Sequence, residues 1–205
     1  MFKLTLVPVV FLLIACGSSN ALAGSDTSVG TARYETAILA GGCFWCMVPP
    51  FEKMPGVKEV ISGYIGGRTK NPTYENYAEA GHVEAVEIIY DPAKVTYAQL
   101  LNVFWRQIDP TDPGGQFVDR GPQYRSSIFY LNDKQKALAE KSKEELARSG
   151  RFAKPIVTEI IKAPTFYRAE EYHQDYYKKN PIRYKFYRFN AGRDQFLEKV
   201  WGKQK

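Results

Sequence analysis

The segment Gly41-Gly42-Cys43-Phe44-Trp45-Cys46 determines how the rest of the chain is interpreted. An apolar run at residues 36–40 precedes it and is typical of a buried strand. Residues 47–54 follow it and predict a short helix that Pro55-Gly56 ends. Cys43 therefore lies at a strand-to-helix junction, where free N–H groups and the helix dipole stabilise negative charge. We expect the pKa of its thiol to lie below the ordinary value of about 8.5.

The N-terminus has the pattern of an export signal. Lys3 supplies positive charge, and the apolar run at residues 4–15 is too short to span a membrane. Leu13-Ile14-Ala15-Cys16 resembles a bacterial lipobox, which would place a lipid on Cys16, and cleavage after Ala23 is the alternative. Both readings predict export, to the periplasm or to a membrane anchor facing outside the cytoplasm. Residues 1–23 are then a signal segment, 24–32 a linker and 33–205 a single folded domain.

The use of cysteine favours redox chemistry. The chain has three cysteines, and Cys16 belongs to the signal segment, so the domain itself retains only Cys43 and Cys46. One Cys-x-x-Cys pair is not a structural disulfide framework, and in an exported protein it is more typical of a redox-active site. A zinc site needs four ligands, and His82 and His173 lack the usual ligand spacing. We therefore expect no metal.

The positive charge of the chain does not indicate nucleic-acid binding. The net charge is +6, and the basic residues are spread along the sequence. Residues 177–188 interleave basic and aromatic side chains, a pattern that single-stranded nucleic acid can use. No nucleic-acid-binding module accompanies this stretch. We expect it to be a solvated face with aromatic side chains packed beneath it.

The remaining sequence alternates between strand and helix patterns. Strands are predicted at residues 57–65, 82–90, 126–131 and 156–161, and helices at residues 97–108, 133–149 and 170–179. Long polar loops cover residues 68–81 and 109–123, and the C-terminal tail is expected to be irregular. Because the two kinds of element alternate in mixed order, we expect an α/β (α+β) two-layer sandwich, in which helices pack on a mixed sheet.

Four segments, in the same order along the chain, resemble the peptide methionine sulfoxide reductase A family. They are the cysteine segment, Gly81-His82-Val83-Glu84-Ala85-Val86 ahead of Tyr90-Asp91-Pro92, Asp119-Arg120-Gly121-Pro122-Gln123-Tyr124-Arg125-Ser126, and Glu171-Tyr172-His173-Gln174-Asp175-Tyr176. A lone Cys-x-x-Cys is weak support, whereas four motifs in family order are specific. The resemblance implies the ferredoxin-like fold of this family. It also implies the reduction of methionine sulfoxide, free or in proteins, with specificity for the S epimer at sulfur.

The same resemblance implies the chemical groups of the reaction. Cys43 would be the nucleophile, and Phe44 and Trp45 would form the pocket for the substrate methyl group. Glu84 would be the acid near the sulfoxide oxygen. The chemistry agrees, because sulfoxide reduction needs a soft nucleophile at sulfur and a proton on the departing oxygen. A carboxyl group can supply that proton at neutral pH when burial raises its pKa.

The resemblance also implies hydrogen-bond donors to the sulfoxide oxygen. Tyr74 and Tyr124 would donate to that oxygen, and Asp119 would belong to the supporting network. The loop between Tyr74 and Glu84 is shorter than in many relatives, so Tyr77 is the alternative to Tyr74. With 14 tyrosines in the chain, most must be packing residues.

The resemblance further implies a sulfenic acid on Cys43, which a second thiol converts to a disulfide. The tail has no cysteine, so Cys46 is the predicted resolving residue. An external dithiol, thioredoxin or a thioredoxin-like protein, would reduce the disulfide, and no dissolved cofactor is needed. We expect a monomer with oxidised proteins and free methionine sulfoxide as substrates. The alternatives are a thioredoxin-like disulfide oxidoreductase and a surface lipoprotein that binds a partner.

Overall fold

The computed structural model describes residues 1–3 and 34–202. The predicted lipobox with Cys16, the cleavage site after Ala23 and the linker lie outside the described residues, and they remain predictions. Within the described part of the chain, no helix combines the length and the apolar character needed to cross a membrane.

A curled, six-stranded mixed sheet forms the centre of the domain. The described strands are β1 (Glu35–Gly41), β2 (Val57–Ile65), β3 (Val83–Tyr90), β4 (Gly115–Gln116), β5 (Asp119–Arg120), β6 (Ser126–Tyr130), β7 (Glu159–Lys162) and β8 (Phe166–Arg168). The order across the main sheet is β7-β6-β1-β3-β2-β8. The β6–β7 pair is parallel and the other pairs are antiparallel. Strands β4 and β5 form a separate two-stranded ribbon.

Helices pack against this sheet. The described helices are α1 (Phe44–Glu52), α2 (Tyr97–Trp105), α3 (Asp133–Arg148), α4 (Tyr176–Lys179), α5 (Pro181–Asn190) and α6 (Arg193–Trp201). Side-chain caps mark two of the starts. Thr96 and Gln99 form a capping box at α2, and the Asn132 side chain accepts a hydrogen bond from the backbone N–H of Gln135 at α3.

Alternation along the central strands assigns the two faces of the sheet. In β1, Ala37 and Leu39 join the large core that includes α1 and α2, whereas Ile38 and Ala40 join a smaller apolar cluster. In β3, Glu84 has the same parity as Val86 and Ile88, which belong to the large core. The predicted fold class, a mixed sheet with helices packed on it, is confirmed. The alternation also directs the Glu84 carboxyl group toward the helices.

The C-terminal tail differs from its prediction. Expected to be irregular, it instead forms α5 and α6. The predicted helix at residues 170–179 is also wrong in its first half, where a short 3₁₀ turn at Glu171–His173 precedes α4. The left-handed backbone of Asp175, with φ of 53°, separates that turn from α4.

Residues 177–188 are expected to form a solvated face with aromatic side chains packed beneath it. This prediction holds only in part for α5. Tyr184 is buried beneath it, but three large apolar side chains on the same helix are exposed. They are Ile182, Phe186 and Phe189.

Candidate active site

The backbone of the cysteine turn depends on glycine. Gly42 has φ of +79°, a conformation that residues with a Cβ rarely adopt. A Cβ at this position would lie 2.6 Å from Cβ of Gln116, which packs against the turn. The turn brings Cys43 to the N-cap of α1, immediately after β1. Strand β1 and helix α1 therefore hold the thiol at the edge of the main core.

Pro50, inside α1, leaves one carbonyl group of the site without a hydrogen bond from the helix backbone. Pro50 has no N–H to donate to the carbonyl oxygen four residues earlier, which belongs to Cys46. Nη1 of Arg188 on α5 donates to that oxygen instead, at 3.1 Å. Helix α5 is therefore fastened to the cysteine turn by a guanidinium group.

A cavity of about 150 Å³ opens beside Cys43. It is lined by Cys43, Phe44, Trp45, Tyr74, Glu84, Asp119, Tyr124 and Tyr187. The structure thus brings together seven of the residues implied by the resemblance and adds Tyr187. Cys46 is fully buried and does not line the cavity. The cavity has an apolar wall, a thiol, two carboxyl groups and three phenol groups within one small volume.

Glu84 is a buried carboxyl group with two hydrogen-bond donors. Its side chain is 2% exposed. Oε2 accepts from the backbone N–H of Phe44 at 2.9 Å, and Oε1 accepts from the Tyr77 hydroxyl group at 3.0 Å. Burial raises the pKa of Glu84 to about 8, although both donors oppose this shift. At neutral pH the group is therefore mostly protonated and can act as an acid.

The two rival tyrosines occupy different places. Tyr74 is 43% exposed and lines the cavity. Tyr77 is buried behind the cavity and binds Glu84 and Tyr124. Burial raises the pKa of both phenol groups, so both keep their protons at neutral pH. The geometry separates a tyrosine at the cavity wall from one that orients the acid.

The pKa values of the two thiols are shifted in opposite directions. Burial raises the pKa of Cys43 well above its ordinary value, and the hydrogen bond to Cys46 and the charges of Glu84 and Asp119 raise it further. The hydrogen bond from Cys43 lowers the pKa of Cys46 to about 7 despite burial, helped by the charges of Arg193 and Arg188. The expectation of a lowered pKa for Cys43 is therefore wrong for the resting pair, because burial outweighs the helix N-terminus.

Aromatic contacts fix the apolar wall. Trp45 Nε1 donates to Nδ1 of His173 at 3.1 Å, and its ring stacks on Tyr176 with centroids 3.7 Å apart. The His173 ring also contacts Phe44, at 4.9 Å between centroids. His173 thus orients Trp45 as a hydrogen-bond acceptor, and burial lowers its pKa.

His82 has a structural position at the end of the loop before β3. It accepts a hydrogen bond from the backbone N–H of Gly67 at 3.1 Å and contacts Thr69. Among the residues that the structure describes, no group of three or more His, Cys, Asp or Glu side chains is placed to hold a metal ion.

Sequence reasoning missed the contribution of the C-terminal helices. The Tyr187 hydroxyl group donates to Asp119 at 2.5 Å and completes the cavity wall. Arg193 is fully buried and donates to the carbonyl oxygens of Gly41, at 3.2 Å, and Gln107, at 2.5 Å. No local pattern marks these residues, because their partners lie 68 to 152 residues away in the chain. The helical periodicity of residues 181–201 could have indicated the two helices, but not the partners of these side chains.

Comparisons with known proteins identify the family of this chain. The family model described as peptide methionine sulfoxide reductase matches residues 35–205. The MsrA proteins of Halalkalibacterium halodurans and Bacillus subtilis are each 58% identical to the chain, covering 83% of it and 98% and 97% of their own lengths.

Solved structures lead to the same family. The methionine sulfoxide reductase A of Corynebacterium diphtheriae is 34% identical, with a TM-score of 0.65 over 75% of this chain and 78% of that one. Reduced Mxr1 of Saccharomyces cerevisiae is 31% identical, with a TM-score of 0.67 over 74% and 88% of the two chains. The chain therefore belongs to the peptide methionine sulfoxide reductase family and is an oxidoreductase of the MsrA type.

Proposed function

We propose that this enzyme reduces the S epimer of methionine sulfoxide, free or in proteins, with Cys43 as its nucleophile. The resting Cys43 thiol first loses its proton to solvent. The resulting thiolate attacks the sulfoxide sulfur while Glu84 gives its own proton to the oxygen. The oxygen is transferred to Cys43, which becomes a sulfenic acid, and methionine leaves with its sulfur reduced by two electrons. Tyr74 and Tyr124 donate hydrogen bonds to the oxygen, and Phe44 and Trp45 contact the methyl group.

The observation that carries this proposal is the placement of Glu84. It is buried, it lies in the same cavity as Cys43, and its pKa is raised to about 8. A sulfoxide oxygen is a poor leaving group until it is protonated, so its removal requires an acid beside the nucleophile, and Glu84 is placed to be that acid.

The catalytic cycle closes through the second cysteine. Cys46 attacks the sulfenic sulfur of Cys43, water leaves, and a Cys43–Cys46 disulfide forms. The packing of the two cysteines in one buried cluster supports this step, because it keeps their side chains close together. A thioredoxin-like dithiol then reduces the disulfide, so that the cycle requires neither a metal nor a dissolved cofactor.

We further propose that the enzyme acts outside the cytoplasm as a monomer. The apolar run at residues 4–15 and the lipobox-like segment ending at Cys16 support export and attachment by a lipid. Mass spectrometry of the mature N-terminus tests this proposal. A lipidated Cys16 supports the anchor, whereas a mature chain that begins at Gly24 would make the enzyme a soluble exported protein.

Turnover of the two sulfoxide epimers, assayed separately with dithiothreitol, tests the main proposal. We expect turnover of the S epimer and none of the R epimer, and no release of methionine by Cys43→Ser. Equal turnover of both epimers would contradict the assignment. Reduction of a protein disulfide without any turnover of sulfoxide would favour the thioredoxin-like alternative.

A further inference from the structure

The two sulfurs of the site differ in their access to solvent. Cys43 lines the cavity and is 6% exposed, whereas Cys46 is fully buried and absent from the cavity wall. Which of the two sulfurs the external dithiol attacks is an inference that rests on the Cys43–Cys46 disulfide proposed above. A thiolate must approach the sulfur that it attacks in line with the bond that breaks, so access decides the target.

The cover over Cys46 comes from the C-terminal part of the chain. Tyr176 of α4 and Tyr184 of α5 pack with the two cysteines as one buried cluster. Tyr176 in turn stacks on Trp45. To expose Cys46, the donor would have to displace α5, which Arg188 fastens to the Cys46 carbonyl oxygen. Cys43 needs no such movement, because the substrate cavity already leads to it.

The charges around the two sulfurs also differ. On the Cys43 side lie the carboxyl groups of Asp119 and of Glu84, and Glu84 is mostly protonated at neutral pH. On the Cys46 side lie the guanidinium groups of Arg188 and the fully buried Arg193. Positive charge stabilises a departing thiolate, and a thiol of lower pKa leaves faster. Cys46 is therefore the better leaving group of the two.

We propose that the donor thiolate attacks the sulfur of Cys43 through the substrate cavity, and that Cys46 leaves as a thiolate stabilised by the positive charges of Arg188 and Arg193. The bond between the two cysteines breaks, and a mixed disulfide forms between Cys43 and the donor. The second thiolate of the donor then attacks the donor's own sulfur and releases Cys43. The donor dithiol loses two electrons and becomes a disulfide, and the enzyme gains them as two thiols after protonation.

Mapping the mixed disulfide tests this proposal. The full enzyme is oxidised with one equivalent of methionine sulfoxide and mixed with a thioredoxin whose second cysteine is serine, which cannot resolve the adduct. Acid quenching, alkylation with N-ethylmaleimide and chymotryptic cleavage after Phe44 or Trp45 place the two cysteines on different peptides. We expect the donor on Cys43 and the maleimide on Cys46. The donor on Cys46, or equal amounts on both, would overturn the proposal.

The design separates this proposal from the relay on which it rests. Mass analysis before the donor is added shows whether the sulfoxide has closed the disulfide, by a loss of two hydrogens. If it has not, the relay fails, and diamide closes the bond chemically so that the mapping still gives an answer. Glutathione replaces the thioredoxin when its adduct does not accumulate, and the same position on Cys43 is expected.

Arg188 provides a second measurement as a positioning residue. Arg188→Gln should slow reduction of the disulfide by the donor several-fold, and Arg188→Lys should restore most of the rate because it keeps the charge. The amount of methionine that each sample releases in a single turnover gives the number of correctly folded active sites, and the rate of disulfide reduction is divided by that number. Arg183→Gln, an exposed change on the same helix, is the matched control and should reduce at the wild-type rate. Equal loss in the Gln and Lys variants would show that Arg188 matters only for packing.

Discussion

The carboxyl group of Glu84 accepts a hydrogen bond, at 2.9 Å, from the backbone N–H of Phe44, the residue that follows the nucleophile. N–H groups in the first turn of a helix have no partner within that helix, so Glu84 acts as a cap for α1 from 40 residues away. One contact therefore fixes the acid on β3 relative to the thiol at the start of α1.

Replacing Glu84 tests its role as a neutral donor. Glu84→Gln keeps an acceptor for the Phe44 N–H and a donor for the sulfoxide oxygen, whereas Glu84→Ala removes both. We expect the Ala variant to lose about 100-fold or more in the rate of methionine release, and the Gln variant to lose less. Single-turnover release with dithiothreitol as the only reductant measures both. Equal losses would argue against a donor role for this side chain.

The pH profile follows from the raised pKa of the same group. Glu84 acts in its protonated form, and with a pKa of about 8 it loses that proton as the pH rises through 8. The wild-type rate should therefore fall on the alkaline side of about pH 8. Glu84→Gln does not titrate and should lack this alkaline decline. A decline of the same position in the Gln variant would assign it to another group.

The pH at which the rate declines can distinguish the role of Tyr77 from that of Tyr74. The Tyr77 hydroxyl group donates to Glu84 and stabilises its charged form. Tyr77→Phe should therefore raise the pKa of Glu84 and move the decline to higher pH, by up to about one unit. Tyr74→Phe removes a hydroxyl group at the cavity wall and should lower the rate without moving the decline. The opposite assignment would give the shift in Tyr74→Phe.

Cys46→Ser should stop the enzyme after one turnover. The attacking thiol and the oxygen-binding groups remain, so each molecule should release about one methionine in the absence of reductant. Cys43 should then carry a sulfenic acid, visible as the mass of one added oxygen. Cys43→Ser should release no methionine. Normal turnover of Cys46→Ser with thioredoxin would mean that the donor reduces the sulfenic acid directly.

Gly42→Ala should destabilise the domain through both strain and a clash. The backbone has φ of +79°, and the new methyl group would lie 2.6 Å from Gln116 Cβ. We expect a loss of about 2 kcal/mol or more in the free energy of unfolding. Gly192→Ala is the matched control, because its φ of +76° is similar but its Cβ would meet nothing within 4 Å. It should lose only about 1 kcal/mol in a urea titration.

The fold class and the core of the site follow from short-range patterns. Strict alternation in β3 puts Glu84 on the same side as Val86 and Ile88, and a glycine turn after an apolar strand places Cys43 at the start of a helix. These relationships follow from the two-residue period of a strand and the 3.6-residue period of a helix, so they can be predicted from the sequence alone.

The C-terminal contributions could not be inferred in the same way. Tyr187 lies among 14 tyrosines, and nothing local distinguishes it from those that only pack. Arg188 and Arg193 bind carbonyl groups, and any carbonyl group of the chain could have been their partner. The pKa order of the two thiols depends on burial and on these arginines, so it too needed the three-dimensional arrangement.

The Cys46 carbonyl group, which receives no helix hydrogen bond because of Pro50, bears on the order in which the site is assembled. Its partner, Arg188, is 142 residues further along the chain than Cys46. Because synthesis proceeds from the N-terminus, the cysteine pair emerges long before the arginine does. Until α5 arrives, Cys46 lacks its cover and both thiols are open to oxidants. Protection of the reduced pair is therefore among the last steps of folding.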